Sequence, residues 1–334
     1  MVTRKDVAKA AGVSVATVSN VLSKRLNVSD EKKEKVLEAA KKLNYIPNHT
    51  AKSLSSGRTK HIGVIINDYD NPYHTELAQC VENYIINHGY MMTVIDFNED
   101  KTNMEKLIGE WQFDSLINFS SNIYSKRLLD IFKSKGTVLA NFSEDYDINV
   151  SFSLKSAQMF FMKKLQELGH KKVGYVSTVD RAWWELDDRG QVFLAEWDKC
   201  GFDVNKDYLI FNEKHCKNSS NVGYEEAKIL FKKHPDITAV FATNDVAAFG
   251  VIRALKDMGL NCPDDVSVIG CDDIMLSSNY VPSLSSISYD KKAYSEEIAK
   301  RVVDRLENGT DYKNDYVCIE AKAVVRESIG KAKI

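Results

Sequence analysis

The sequence predicts a small all-α, helix-turn-helix head on an α/β body made of two doubly wound parallel-sheet lobes. Three observations predict it. The first sixty residues break into short helical patterns around Gly12, and they are strongly basic. From residue 60 onward, short apolar runs alternate with helical stretches, the pattern of strands joined by helical crossovers. After about residue 150 that alternation starts afresh, which implies a second sheet.

The head comes first in the chain. Thr3 is placed to cap a helix, with Asp6 three residues on in the acidic position of a capping box. Val7, Ala8 and Ala11 line one face of that helix, and Gly12 supplies the turn after it. Ser14 caps a second helix, Val15–Leu22, with Val18, Val21 and Leu22 inward. Ser29 caps a third, Asp30 and Glu31 occupy its first turn as the helix dipole favours, and Val36, Leu37, Ala40 and Leu43 form its apolar stripe. Pro47 is expected to end it. Three short helices with a glycine turn between the first two describe a helix-turn-helix, with a plain three-helix bundle as the alternative.

Charge separates the two readings in part. Residues 1–60 carry 13 of the 45 Lys/Arg and 5 of the 47 Asp/Glu, a net of +8, while the rest of the chain nets −10. A basic head on an acidic body fits a polyanionic partner for the head alone. Yet the stretch GVSVATVSNVL (12–22) carries no charge. Small uncharged side chains let a helix approach the floor of a major groove about 12 Å wide, while lysines around it attract phosphates.

In the body, HIGVIIND (61–68), YMMTVIDF (90–97), DSLINFSS (114–121) and TVLANF (137–142) read as buried parallel strands. KVGYVST, DYLIFNE, AVFATND and VSVIGCDD repeat the pattern in the second half. Ligands of such sheets sit beyond the C-terminal strand ends, here in a cleft between lobes. Asn71 and Tyr73, Asn244 and Asp245, and Asp272 and Asp273 all follow strand ends, and Arg189 opens the RGQVF helix. For the acidic pairs, helix capping is the alternative role. Trp183 and Trp184, just before Arg189, suit either stacking on a pyranose or packing within the lobe.

AAGVSVATVSNVL, then LNYIPNHTAKSL, resembles the head and hinge of the lactose-repressor/galactose-repressor family of bacterial transcription regulators. NDYDNPYH, LGHKKVGYVS, TNDVAAFGVIRALKDMGLNCPDDVSVIGCDDI and YVPSLSSI resemble that family's sensor domain, similar in fold to periplasmic sugar-binding proteins. The resemblance implies that Val15, Ala16 and Asn20 face base edges and that Ser14, Thr17 and Ser19 bond phosphates. It implies that Leu54 wedges into the minor groove with Ala51 beside it, and that Arg189 and Asp272 hold the effector. One departure stands out. The family usually carries an Asp followed by a small residue before the second lobe, where this chain reads NVSFSLKSAQ, with Phe152 near that place. The effector therefore cannot be borrowed from the family.

The expected layout is a DNA-binding head at 1–46, a hinge helix and linker at 47–59, and an effector-binding and dimerisation domain at 60–334. Its first lobe spans about 60–155 and 290–318, its second about 156–289 and 319–334. The expected function is a cytoplasmic, homodimeric, sequence-specific transcriptional regulator, a repressor by family habit. It would bind a palindromic operator in double-stranded DNA and be switched by a small molecule, most naturally a carbohydrate. A nucleobase or a phosphoprotein co-regulator is the alternative effector, and a binding protein without DNA function the alternative class. No cofactor or metal is expected, since the six cysteines show no CxxC spacing. GxGxxG, Walker, GxSxG and HExxH motifs are all absent, which argues against an enzyme. No apolar run approaches the roughly 18 residues of a membrane span.

Overall fold

The computed structural model describes residues 2–22, 28–46, 58–96, 110–120, 126–142, 146–203, 205–213 and 218–333. The chain divides into two compact units, Met1–Thr59 and Lys60–Ile334. No helix among the described residues is long and apolar enough to cross a membrane.

The first unit holds α1 (Arg4–Ala11), α2 (Val15–Leu22) and α3 (Asp30–Lys42). The capping box forms: the Thr3 hydroxyl accepts from the Asp6 amide at 3.4 Å, and the Asp6 carboxylate accepts from the Thr3 amide at 2.8 Å. Gly12 takes φ 65°, which lets the Val13 amide return to the Ala8 carbonyl and turns the chain sharply into α2. Val7, Val18 and Val36 are fully buried at the meeting of the three helices, with Ala8, Ala39 and Ala40 around them.

Three local expectations are corrected. Ser29 precedes α3 but makes no side-chain cap bond, and Asp30 and Glu31 instead pair with Lys33 and Lys35. At an exposed helix end, water satisfies the amides a cap would otherwise serve. Leu37 is 56% exposed, while Ala39, three residues on from Val36, takes an inward place beside Ala40. Finally, α3 ends at Lys42, well ahead of Pro47. Asn44 adopts φ 47°, so that Tyr45 donates to the Ala40 carbonyl and Asn44 to that of Lys41. This is a Schellman closure with asparagine in the left-handed place. Pro47 and the hinge stretch 48–56 lie outside the described residues.

The second unit has two sheets. One runs β2 (Met91–Asp96), β1 (His61–Ile66), β3 (Ser115–Asn118), β4 (Val138–Ala140), all parallel. The Asn141 side chain, at φ 58°, extends it by exchanging bonds with the Val150 backbone of β5 (Val150–Ser153), which pairs with β11 (Val317–Glu320). The other sheet runs β12 (Lys322–Val324), β10 (Ser285–Ser288), β9 (Ser267–Cys271), β8 (Ala239–Ala242), β6 (Val173–Val176), β7 (Leu209–Ile210), parallel except at β12. β1, β3, β6, β8 and β9 are buried almost throughout, as strands covered on both faces must be.

α4 (Pro72–Ile86) and α5 (Lys126–Ser134) flank the first sheet. α6 (Lys155–Glu167), α7 (Asp188–Trp197), α8 (Ser219–Lys233) and α9 (Asp245–Asp257) flank the second. α10 (Lys291–Asn308) returns to pack on α4. The chain thus passes between the lobes three times, after β5, between β10 and α10, and at Ala321 between β11 and β12.

Candidate functional site

Two places carry chemistry, one in each unit. In the first unit, α2 buries Val18 and turns Val15, Ala16 and Asn20 outward, with Val15 41% exposed. The Ser14 hydroxyl accepts from the Thr17 amide at 3.1 Å and meets the Thr17 hydroxyl at 2.9 Å. The start of α2 is thereby fixed, and its outer face presents an apolar residue, a methyl and a carboxamide. That set suits base edges, because a carboxamide pairs bidentately with adenine and apolar groups meet a thymine methyl.

In the second unit, the strand ends of both lobes converge. Asn71 caps α4 by accepting from the Tyr73 amide at 3.1 Å, and the cap aims Tyr73 and His74 toward the second lobe. The Tyr289 hydroxyl donates to that of Tyr73. Opposite them, Asp187 caps α7 and takes the Arg189 Nε–H at 2.8 Å, while the Arg189 Nη1 donates to the Thr243 carbonyl at 3.2 Å. Gly190 makes room for the Trp184 ring against the start of α7: a Cβ there would fall 2.0 Å from it.

Electrostatics ties these groups together. Burial, with Arg189 adding to it, depresses the His74 pKa to about 4, so the ring is neutral at pH 7. Burial works against the Arg189 charge, but Asp187, with Tyr175, Cys271 and Asp272 adding to it, more than restores it. Burial and then the charge of Asp245 hold the Asp272 carboxyl well above the ordinary range. Burial and then Asp272 raise the Tyr73 phenol in the same way. Two buried polar atoms here, His74 Nδ1 and Asp187 Oδ2, have no hydrogen-bond partner. Such atoms cost about 1–3 kcal/mol each when left unpaired.

The family model described as "Bacterial regulatory proteins, lacI family" matches residues 3–48, and that of a "Periplasmic binding protein-like domain" matches residues 162–329. The transcriptional repressor PurR of Mannheimia succiniciproducens is 30% identical over 339 residues, covering 99% of each chain. This chain belongs to the lacI family. The regulator MalR of Clostridium butyricum is 29% identical over 97% of this chain and 98% of its own. Among solved structures, the lac repressor dimer bound to operator and the anti-inducer ONPF is 22% identical, with a TM-score of 0.77 over 98% of both chains. A CelR–cellobiose complex follows at 21% identity and TM-score 0.69, over 98% of this chain and 100% of its own.

The protein is therefore a DNA-binding transcriptional regulator with a ligand-binding body, and not an enzyme. Against that lacI-family frame, the residues singled out in the sequence divide. Tyr73, Arg189 and Asp272 lie near enough to act on one another's charge, while Asn71 is nearly buried and caps α4. Asn244 is nearly buried and caps α9 by accepting from the Ala247 amide at 2.8 Å. Asp245 is fully buried, and both its oxygens are taken within the fold, by Ser286 at one and by Ser277 and the Ile274 amide at the other. Trp184 lies in the lobe core against Tyr175 and Phe211, the packing role weighed for it. Trp183 belongs to the 3-10 turn Arg181–Leu186, its side chain outside the described residues. Ala51 and Leu54 fall outside them as well.

The family's missing aspartate also has a structural counterpart. Phe152 stacks on Tyr289 and meets Tyr294 edge-on, so the crossover carries an aromatic wall. Sequence reasoning missed His74, Asp187 and Thr243. The only available signal was position: His74 follows Tyr73, Asp187 precedes Arg189 by two, and Thr243 precedes Asn244.

Proposed function

We propose that this regulator binds a palindromic operator as a homodimer and is switched by an uncharged polyhydroxyl ligand, a carbohydrate, held in the cleft of the second unit. The observation that carries the reading is the convergence of Tyr73 and His74 from one lobe with Arg189, Asp187 and Asp272 from the other. A fork of guanidinium donors beside carboxyl acceptors is the set that grips adjacent hydroxyls. Charge favours a neutral ligand: Arg189 is already paired with Asp187, Asp272 lies nearby, and His74 is uncharged at pH 7. A phosphorylated ligand would enter a site with no spare positive charge among the described residues. The aromatic wall of Phe152 and Tyr289 offers a face on which a pyranose, or a flat base, rests.

In the head, Val15, Ala16 and Asn20 read bases, Ser14, Thr17 and Ser19 bond phosphates, and Leu54 with Ala51 enters the minor groove. Two heads related by a two-fold then require a palindromic site. Ligand release of DNA is the expected sign of the switch. A thermal-shift screen of the full chain against neutral sugars, sugar phosphates and purine bases tests the reading. Stabilisation by a neutral sugar that disappears in Asp272→Ala supports it. A response to sugar phosphates or bases alone would replace it.

A further inference from the structure

The loop that follows β9 carries Asp272, and it is held in an uncommon backbone shape. Asp272 adopts φ 113° and Asp273 φ 48°, both in the region that favours glycine. Non-glycine residues there store strain, which persists only when neighbours over-determine the geometry. Every amide of this loop has a named acceptor. Asp272 donates to the Ile287 carbonyl, Asp273 to the Ser286 hydroxyl and Ile274 to the Asp245 carboxylate. These three acceptors belong to the second lobe. The fourth amide, Met275, donates instead to Glu76 Oε1 at 3.2 Å, and Glu76 stands on α4 of the first lobe.

The carbonyls of the loop are held from the same direction. The Lys291 ammonium, at the start of α10, donates to the Asp272 carbonyl at 2.6 Å and to that of Asp273 at 2.8 Å. It lies 3.1 Å from Glu76 Oε2, so its three donors meet three acceptors. The side chains of Lys291 and Glu76 are 14% and 29% exposed, which sets the pair apart from the surface ion pairs of this chain. We infer that Glu76 and Lys291 form a clasp between the lobes, in which Lys291 positions Asp272 and Glu76 ties the Asp272 loop to the helix bearing Tyr73 and His74. Neither residue needs to touch a ligand. Opening the cleft must break the Glu76 contacts, and the loop then loses one amide acceptor and the partner that orients its lysine. That the clasp matters to effector binding rests on the reading of Asp272 given above, whereas the clasp itself does not.

Hydrogen–deuterium exchange on the full chain without ligand tests it, so a failure here is distinct from a failure of the effector reading. Glu76→Gln should speed exchange at 272–276 about tenfold, as loss of a charge-assisted bond implies. Lys291→Met should speed exchange at both 272–276 and 72–78, with β8 unchanged. The double variant should exchange no faster than Lys291→Met alone, because the two residues act as one unit. If Lys291→Met does not fold, Glu76→Gln and Glu76→Asp carry the test, since the shorter aspartate cannot reach Met275. Wild-type exchange at 272–276 in Glu76→Gln, or simple addition of the two single effects, overturns the clasp.

Discussion

Phe152 and Tyr289 lie face to face, ring centroids 4.2 Å apart and planes within 7° of parallel. They come from two different passages of the chain between the lobes, the end of β5 and the link from β10 to α10. Tyr294 closes on both rings edge-on, at 5.4 and 5.6 Å, and Tyr289 bonds the Tyr73 hydroxyl. A stack at the hinge between lobes resists their rotation more than an equal area buried inside one lobe would. Offset and edge contacts add about 0.5–1.5 kcal/mol beyond burial.

Phe152→Ala should therefore lower stability by about 2–3 kcal/mol, somewhat less than the roughly 3–5 kcal/mol of a fully buried phenylalanine because the ring is half-buried. Chemical denaturation measures it. The ligand response should weaken at the same time, since Tyr73 would lose the ring that fixes its partner. Phe152→Leu, which keeps bulk but not the stack, should recover most of the stability and little of the response. Full recovery of both would reduce Phe152 to a filler.

Asn20 stands exposed on the outer face of α2, two turns from the capped start at Ser14. Asn20→Ala should cost about 1–3 kcal/mol on the preferred operator and little on random DNA. Binding assays on both, at one salt concentration, decide the matter. Equal losses on the two would move Asn20 from base reading to phosphate contact.

Arg189 and Asp187 make a more severe pair. Arg189→Met strands the Asp187 carboxylate in the lobe, where it is 7% exposed, at a cost of about 3–5 kcal/mol. Adding Asp187→Asn should return most of that loss while leaving ligand affinity absent. The pair would then serve recognition rather than folding. A double variant that still binds the wild-type ligand at full strength by calorimetry would remove Arg189 from the site.

What could be read in the sequence, and what could not, follows from the range of the interactions. The strands of both lobes announce themselves as apolar runs, and the α1 cap as Thr3 and Asp6, because these are local patterns. Helix ends were harder. Asn44 closes α3 where Pro47 was expected to, since proline restricts only its immediate neighbour while an asparagine can turn left-handed anywhere. Arg189 was legible as a charge at a helix start, but its pairing with Asp187, the residue that caps that helix, appears only in the fold. Asp245 follows a strand end just as a ligand residue should. Only the fold reveals that Ser277 and Ser286, more than thirty residues away, occupy it. Glu76 and Lys291 are separated by most of the body, and no spacing rule could join them.

The last prediction concerns pH, and it turns on two buried groups whose effects oppose. Burial raises the Asp245 pKa from 3.8 to about 6, against the pull of its serine bonds. Between those values the folded chain holds more protons than the unfolded one, so this group's stabilising effect is fully present below pH 3.8 and is lost as pH rises toward 6. Burial and Arg189 lower the His74 pKa from 6.5 to about 4. There the unfolded chain binds more protons, so that contribution is present above pH 6.5 and is lost as pH falls toward 4. Each is worth about 3 kcal/mol across its window, at 1.36 kcal/mol per unit. The two slopes oppose each other in the wild type between pH 4 and 6. Replacing one group should expose the other. Relative to wild type, Asp245→Asn should grow more stable as pH rises from 4 to 6, and His74→Phe should grow less stable over the same interval. Urea denaturation at half-unit steps gives both differences. Parallel curves for wild type and both variants would mean that neither group titrates in the folded chain as its burial requires.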